Sequence, residues 1–110
     1  MTRYKVYWTH EAEIDLVEIV EYIAEERVPA ARSIYQKVKE KCRQLTTNPE
    51  KHRRVPELLD LGISQYREVI HPPYRVVYKL SDSESTVYIA AVVDGRRDLE
   101  TFLLRRLLRK

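Results

Sequence analysis

The sequence predicts a small α+β fold in which a helical hairpin packs on a mostly antiparallel sheet of about four strands. Three observations carry this prediction. An alternating apolar stretch opens the chain, two segments with helical periodicity follow it, and three strand-like segments come next. A last amphipathic helix completes the order β-α-α-β-β-β-α. The 110 residues are expected to form one domain, 1–110, with one substantial core.

The N-terminal half predicts a strand followed by two helices. Apolar and polar residues alternate in residues 3–8, which is typical of a strand. Thr9 can cap a first helix, whose apolar positions share one stripe: Ala12, Leu16, Ile19, Val20 and Ile23. Pro29 suits the first turn of a second helix, with an apolar face of Ala31, Ile34, Tyr35, Val38, Cys42 and Leu45.

The C-terminal half predicts a loop, three strands and a helix. Asn48-Pro49 ends the second helix, and residues 48–64 form a loop whose apolar centre packs against the sheet. Strands are expected at about 65–71, 74–81 and 86–93. The final helix is expected from Arg97 to about Leu108.

The first hairpin decides where two arginines point. Pro72-Pro73 cannot adopt the two-residue primed turns, so a slightly wider loop is expected. With a three-residue loop, Arg67 and Arg75 share a cationic face, and a loop one residue different separates them. The alternative interpretation is that both are ordinary outward arginines on a half-exposed sheet.

Composition limits the function classes. The single cysteine, Cys42, excludes a disulfide within the chain, and no signal peptide is evident, so a cytoplasmic protein is expected. The longest apolar stretch, residues 87–93, is too short to span a bilayer. No catalytic triad, phosphate loop or Cys-x-x-Cys motif occurs, and no metal or cofactor is expected, since the histidines are scattered at His10, His52 and His71.

Charge is unevenly distributed along the chain. Residues 1–30 hold three basic and seven acidic side chains, although the whole chain has a formal charge of +3. Basic residues concentrate at Lys51, His52, Arg53 and Arg54, and at Arg96, Arg97, Arg105, Arg106, Arg109 and Lys110. Such clusters attract anionic partners by electrostatic steering, although charge runs near termini are often merely solvated.

The last helix predicts a contact with another protein. Its apolar residues spread over about two-thirds of the circumference, more than docking on one small core requires. We expect a partner to bind this helix through Leu99, Phe102, Leu103, Leu104, Leu107, Leu108, Arg105 and Arg106. The alternative is a helix end that packs in a homodimer or frays.

Several short motifs run in order along nearly the whole chain. They are Ala12-x-x-x-Leu16-x-x-Ile19, Asn48-Pro49, Val55-Pro56-Glu57-Leu58, Tyr66-Arg67-Glu68, Tyr74-Arg75-Val76-Val77-Tyr78 and Val93-Asp94-Gly95-Arg96-Arg97-Asp98. Together they resemble the RelE/ParE superfamily of toxins from type II toxin–antitoxin, or plasmid stabilisation, modules. The resemblance implies a growth-inhibiting toxin that a cognate antitoxin neutralises by covering its apolar and cationic surface.

The resemblance leaves an enzymatic mechanism open. RelE-type members cut ribosome-bound mRNA, with basic side chains that bind phosphate and stabilise charge. For this mechanism the resemblance implies Arg67, Arg75 and Arg96 or Arg97 as catalytic candidates. Val69 stands where a second strand lysine is expected, and Phe102, which cannot exchange a proton, stands about where a late tyrosine is expected.

ParE-type members instead inhibit DNA gyrase by binding it. The segment Asp94-Gly95-Arg96-Arg97-Asp98 resembles their His-Gly-Arg-x-Asp segment, which favours a binding protein over an mRNA interferase. Arg75 keeps the endoribonuclease alternative open, because ParE-like sequences often lack an arginine there. A third alternative is an inactive module that only binds its partner.

Overall fold

Four strands and four α-helices lie within residues 3–108, the part of the chain that this computed structural model describes. In chain order they are β1 (Lys5–Trp8), α1 (His10–Ala24), α2 (Val28–Arg43), α3 (Pro56–Leu59), β2 (Tyr66–His71), β3 (Tyr74–Ser81), β4 (Thr86–Asp94) and α4 (Leu99–Leu108). Arg109 and Lys110 of the predicted basic cluster lie outside the described residues.

The strands form one sheet in the order β1-β4-β3-β2. β1 runs parallel to β4, and the other two pairings are antiparallel. The predicted α+β class, with a mostly antiparallel sheet of four strands, is confirmed. β1 pairs only with Thr86–Ile89, so the second half of β4 has no strand beside it on that side.

Local sequence signals account for the helix boundaries. The Thr9 hydroxyl accepts a hydrogen bond of 3.3 Å from the Ala12 amide and donates one of 2.7 Å to the Ile89 carbonyl. Pro29 lies in the first turn of α2. Gly62, which follows α3, has a φ of 81°, a conformation that glycine adopts without steric cost.

The connection between β2 and β3 is tighter than expected. Only Pro72 and Pro73 lie between the paired residues His71 and Tyr74, and a cis peptide bond joins the two prolines. The prediction of a wider loop was wrong because it rested on the primed turns alone. A type VI turn, which has a cis proline at its third position, also joins strands through two residues.

This register separates the two strand arginines. Arg67 pairs with Tyr78, and Arg75 pairs with Ile70. Because neighbouring residues of a strand point to opposite faces, Arg67 and Arg75 lie on opposite faces of the sheet. The expectation that they share one cationic face is therefore wrong.

Both faces of the sheet are covered. On one face, α1 and α2 enclose a core of Ala12, Leu16, Val38, Cys42, Leu45, Val69, Val76, Tyr78, Val87, Ile89 and Val92. On the other face, α3 and α4 cover a second core of Val55, Leu58, Val77, Ala91, Val93, Leu99 and Leu103. The sheet is thus the middle of three layers, and the loop after α2 contributes apolar residues to the second core, as predicted.

Candidate functional site

Arg67, the first candidate cation, lies on the face of the sheet that α1 and α2 cover. Its Nη1 donates a hydrogen bond of 2.6 Å to the His52 carbonyl. On the same face the Tyr78 hydroxyl donates to the Pro49 carbonyl, and burial raises the pKa of Tyr78 above its ordinary value. Both side chains therefore hold the loop between α2 and α3 against β2 and β3, and Tyr78 is poorly suited to exchange a proton.

Arg75 lies on the opposite face and is enclosed by carboxylates. Its Nη1 and Nη2 donate to Glu57 at 2.9 and 2.8 Å, and its Nε and Nη2 donate to Glu68 at 2.7 and 2.9 Å. Glu68 is fully buried and also accepts a hydrogen bond of 2.6 Å from Arg53 Nε. We call Arg53, Glu57, Glu68 and Arg75 the ion-pair cluster.

The pKa shifts of Glu57 and Arg75 favour the charged forms of these two side chains. Hydrogen bonds from Arg75 are the main cause that holds the pKa of Glu57 below its ordinary value. Hydrogen bonds to Glu57 likewise hold the pKa of Arg75 above its ordinary value. Because its donors already meet two carboxylates, Arg75 has little capacity left to bind a phosphate group.

Arg96 and Arg97 occupy the turn between β4 and α4. Arg96 donates to both carboxylate oxygens of Asp94, at 2.9 and 2.7 Å, and these bonds hold the pKa of Asp94 at about 2. Arg97 is exposed and makes no ion pair among the described residues. In the same turn, a Cβ on Gly95 would lie 2.8 Å from the Cδ of Arg75, so the close packing of this turn requires glycine.

The four catalytic candidates are therefore not brought together in one site. Arg67 and Arg75 lie on opposite faces, and Arg96 is neutralised within its own turn. Val69 is buried in the core beneath α1 and α2, and the ring of Phe102 lies 5.0 Å from the guanidinium of Arg106. Among residues 3–108 no group of His, Cys, Asp or Glu could hold a metal ion.

The outer edge of the sheet, at β2, is basic. Lys41 Nζ donates a hydrogen bond of 2.8 Å to the Ile70 carbonyl and so caps the free edge of this strand. The pKa of His71 lies below its ordinary value, mainly through burial and further through the charges of Lys41 and Lys37. The pKa of His52 is lowered in the same way, by burial and then by Lys51 and Arg67. The predicted basic cluster at 51–54 thus belongs to a positive edge.

The structure divides the predicted partner-binding residues of α4. Leu99 and Leu103 are buried in the second core, so they are not available to a partner in this conformation. Phe102 and Leu107 are partly buried against that core. Leu104 is also partly buried, whereas Arg105 is exposed and Leu108 is 69% exposed.

Arg106 takes a structural role that the sequence did not reveal. Its guanidinium donates two hydrogen bonds of 2.9 Å to the Asp15 carboxylate of α1 and one of 2.9 Å to the Ala90 carbonyl. Asp15 also accepts a hydrogen bond of 3.0 Å from the Val92 amide. This pair satisfies backbone groups of β4 beyond the end of β1 and ties α4 to α1.

Two clefts adjoin α4. The larger, of about 1110 Å³, lies beside the start of α1, and Glu11, Arg105 and Leu107 are among its lining residues. The smaller, of about 440 Å³, is lined on the α1 side by Glu18 and Tyr22. Phe102 and Arg97 line both clefts, so the two are neighbours along one side of the helix.

Sequence reasoning missed the acidic members of these contacts, Asp15, Glu57 and Glu68. Glu68 carried a signal, because it is a carboxylate between Arg67 and Val69 in an otherwise apolar and basic strand. Its pairing with Arg75 depends on the hairpin register, which the sequence pattern left open.

Comparison with known proteins identifies the family. Residues 6–99 match the family model described as the ParE toxin of the type II toxin–antitoxin system parDE. The chain belongs to the ParE toxin family. It is therefore a type II toxin of the RelE/ParE superfamily, as the motifs predicted. No curated protein sequence is significantly similar to this ParE-family chain.

Solved structures confirm the fold of this ParE-family toxin. The toxin–antitoxin complex RelBE2 from Mycobacterium tuberculosis matches with a TM-score of 0.58 and 21% identity, over 86% of this chain and 93% of the other. A chromosomal ParDE system from P. aeruginosa matches with a TM-score of 0.66 and 16% identity, over 84% and 96%. A double arginine mutant of the E. coli toxin RelE in the free state matches with a TM-score of 0.68 and 13% identity, over 98% of each chain.

No helix among the described residues has the length and apolar character needed to cross a membrane.

Proposed function

We propose that this ParE-family toxin inhibits DNA gyrase by binding it rather than by cleaving RNA. The observation that carries the proposal is the state of Arg75, whose three side-chain nitrogens all donate hydrogen bonds to Glu57 or Glu68. An arginine in this state stabilises the fold and is a poor phosphate ligand. The match to the ParE family model supports the same conclusion.

The endoribonuclease alternative needs cations that converge on a phosphate and a group that moves a proton. Arg67 and Arg75 lie on opposite faces, and Arg96 is paired with Asp94. Phe102 stands about where a late tyrosine is expected, and its side chain has no proton to exchange. These arrangements favour binding over catalysis.

We further propose that a cognate antitoxin neutralises the toxin by covering the accessible side of α4. This side combines apolar area with positive charge: Phe102, Leu104, Leu107, Leu108 and Arg105. A segment with apolar side chains and carboxylates complements such a surface. One of the similar structures is a toxin–antitoxin complex and another is a toxin–antitoxin system, which supports a partner of this kind. Since gyrase acts on the bacterial chromosome, the cytoplasm is the proposed place of action.

The order in which macromolecular synthesis stops tests this function. The toxin is induced in growing bacteria, and the incorporation of labelled thymidine and labelled methionine is followed from the first minutes. Inhibition of gyrase predicts that DNA synthesis falls first and that mRNA stays intact. An immediate fall in protein synthesis with cleaved mRNA would support the endoribonuclease instead. Normal growth would contradict both toxin mechanisms and support the alternative of an inactive module that only binds its partner.

A further inference from the structure

We propose that the solvent-facing side of α1 is the surface by which this toxin docks on its target, and that the target presents a basic surface with an apolar centre there. We call Ile14, Val17, Glu18, Glu21 and Tyr22 the outer α1 face. This inference rests on the proposed function, because it assigns the target-binding surface of the same inhibitor.

The charge of α1 has one sign. The helix holds five acidic residues and neither lysine nor arginine. Two of its carboxylates are used internally, since Glu13 pairs with Lys39 and Asp15 pairs with Arg106. Within residues 3–108, Glu18 and Glu21 make no ion pair. The acidic charge that the fold does not neutralise therefore lies on the outer side of the helix.

Apolar side chains lie among these free carboxylates. Ile14 is 42%, Val17 43% and Tyr22 76% exposed. With 3.6 residues per turn, the outer α1 face spans an arc of about 140°. The buried residues Ala12 and Leu16 point away from this arc, toward the sheet. Exposed apolar area that the core does not use, rimmed by polar residues, is typical of a protein interaction site.

The outer α1 face continues into the smaller cleft beside α4. Glu18 and Tyr22 line it on the α1 side together with Asp15 and Ile19, and Tyr74 and Phe102 also line it. Aromatic rings next to an unpaired carboxylate suit the stem and charged head of an arginine or lysine. Asp94, Arg96 and Arg97 of the turn before α4 also line the cleft, so its α1 side, with Glu18 and Tyr22, is the side that attracts a basic side chain.

Charge complementarity favours the target over the antitoxin as the occupant. The basic edge at β2 and the accessible side of α4 attract acidic partners, whereas the outer α1 face repels them. The acidic charge of α1 attracts a basic surface in the same way, and because salt screens this attraction, the association should weaken as the salt concentration rises. Two surfaces of opposite sign, which adjoin at Phe102, thus serve two partners.

Purified DNA gyrase is the probe for this inference. The concentration of toxin that halves supercoiling of relaxed plasmid is measured for the wild type, for Tyr22→Ala and for Glu18→Lys combined with Glu21→Lys. Because interface aromatic anchors and complementary charges dominate such contacts, each variant is expected to need at least about tenfold more protein. Circular dichroism checks that each variant is folded.

Matched controls come from exposed positions elsewhere. Tyr7→Ala removes another exposed tyrosine, on β1, and Glu50→Lys reverses an exposed acid outside α1. Both controls are expected to inhibit like the wild type. Outer-face variants that also inhibit like the wild type would overturn the inference and leave the gyrase proposal intact.

Two further outcomes keep the inference and the proposed function separate. A wild-type toxin without effect on gyrase refutes the proposed function. The inference is then tested by inducing the wild type and the outer-face variants in growing bacteria, and it fails if the variants arrest growth as the wild type does. Sedimentation tests a second copy as the occupant: a wild-type dimer that the outer-face substitutions dissociate would also overturn the inference.

Discussion

Glu68 lies at the centre of the ion-pair cluster, and its carboxylate is completely removed from solvent. A buried charge is tolerated only when partners replace the water that it has lost. Arg75 supplies two of the three hydrogen bonds that Glu68 receives from arginine, and Arg53 supplies the third from a half-exposed position. The stability of this region therefore depends much more on Arg75 than on Arg53.

Loss of Arg75 should therefore destabilise the fold more than loss of Arg53. Arg75→Met leaves the buried carboxylate of Glu68 without its main partner, so the free energy of unfolding should fall by about 3–5 kcal/mol. Arg53→Met, the matched control, removes a partly exposed pair and should cost about 1 kcal/mol or less. Urea denaturation of both variants measures the difference, and equal losses would contradict the structural role of Arg75.

Asp94 provides a prediction about pH. Its pKa of about 2 lies below the ordinary value of 3.8, mainly because of hydrogen bonds from Arg96. A carboxyl with a lowered folded pKa stabilises the fold above its ordinary pKa, and this contribution is lost as the pH falls toward the folded value. NMR titration should place the Asp94 transition near 2. The substitution Arg96→Ala should raise it, and an unchanged transition would show that Arg96 is not its cause.

At the scale of elements, α4 is held to the rest of the fold by two kinds of contact. Leu99 and Leu103 bury it on the sheet, and Arg106 ties it to Asp15 and the edge of β4. The sequence predicted the helix and its wide apolar arc. It did not predict which part of the arc the core uses, because the three-layer arrangement decides that.

The ion pair between Arg106 and Asp15 should strengthen the attachment of α4. Arg106→Met leaves the nearly buried Asp15 without a cation, so α4 should detach more readily, by about 1–3 kcal/mol. Amide hydrogen exchange of residues 101–107 should quicken, whereas Arg105→Met, at an exposed position on the same helix, should leave it unchanged. If both variants exchange alike, the ion pair does not hold the helix.

The strands show what sequence patterns can and cannot determine. Their bounds were predicted within a residue or two, since runs of β-branched and aromatic residues end at prolines and polar turns. The hairpin register was not predicted, because Pro72-Pro73 allows more than one turn. A shift of one residue moves every side chain of a strand to the opposite face of the sheet. The candidate site depended on that register, so Arg75 was placed beside Arg67 instead of beside Glu68.

At the scale of the whole molecule, the fold and the family followed from motifs spread along the chain, and both are confirmed. The target could not be inferred from these motifs, because solved structures named RelE and ParDE share this fold. The proposal about the target rests instead on how this chain uses its arginines, which depends on carboxylate partners elsewhere in the sequence. A toxin whose motif arginines stabilise its own fold is expected to act through its surface.

The supercoiling of relaxed plasmid by purified DNA gyrase, measured with increasing amounts of the wild-type toxin, tests this account most directly. The account predicts that supercoiling falls as toxin is added and that mRNA on translating ribosomes remains intact at the same concentrations. Undisturbed supercoiling together with cleaved mRNA would contradict it.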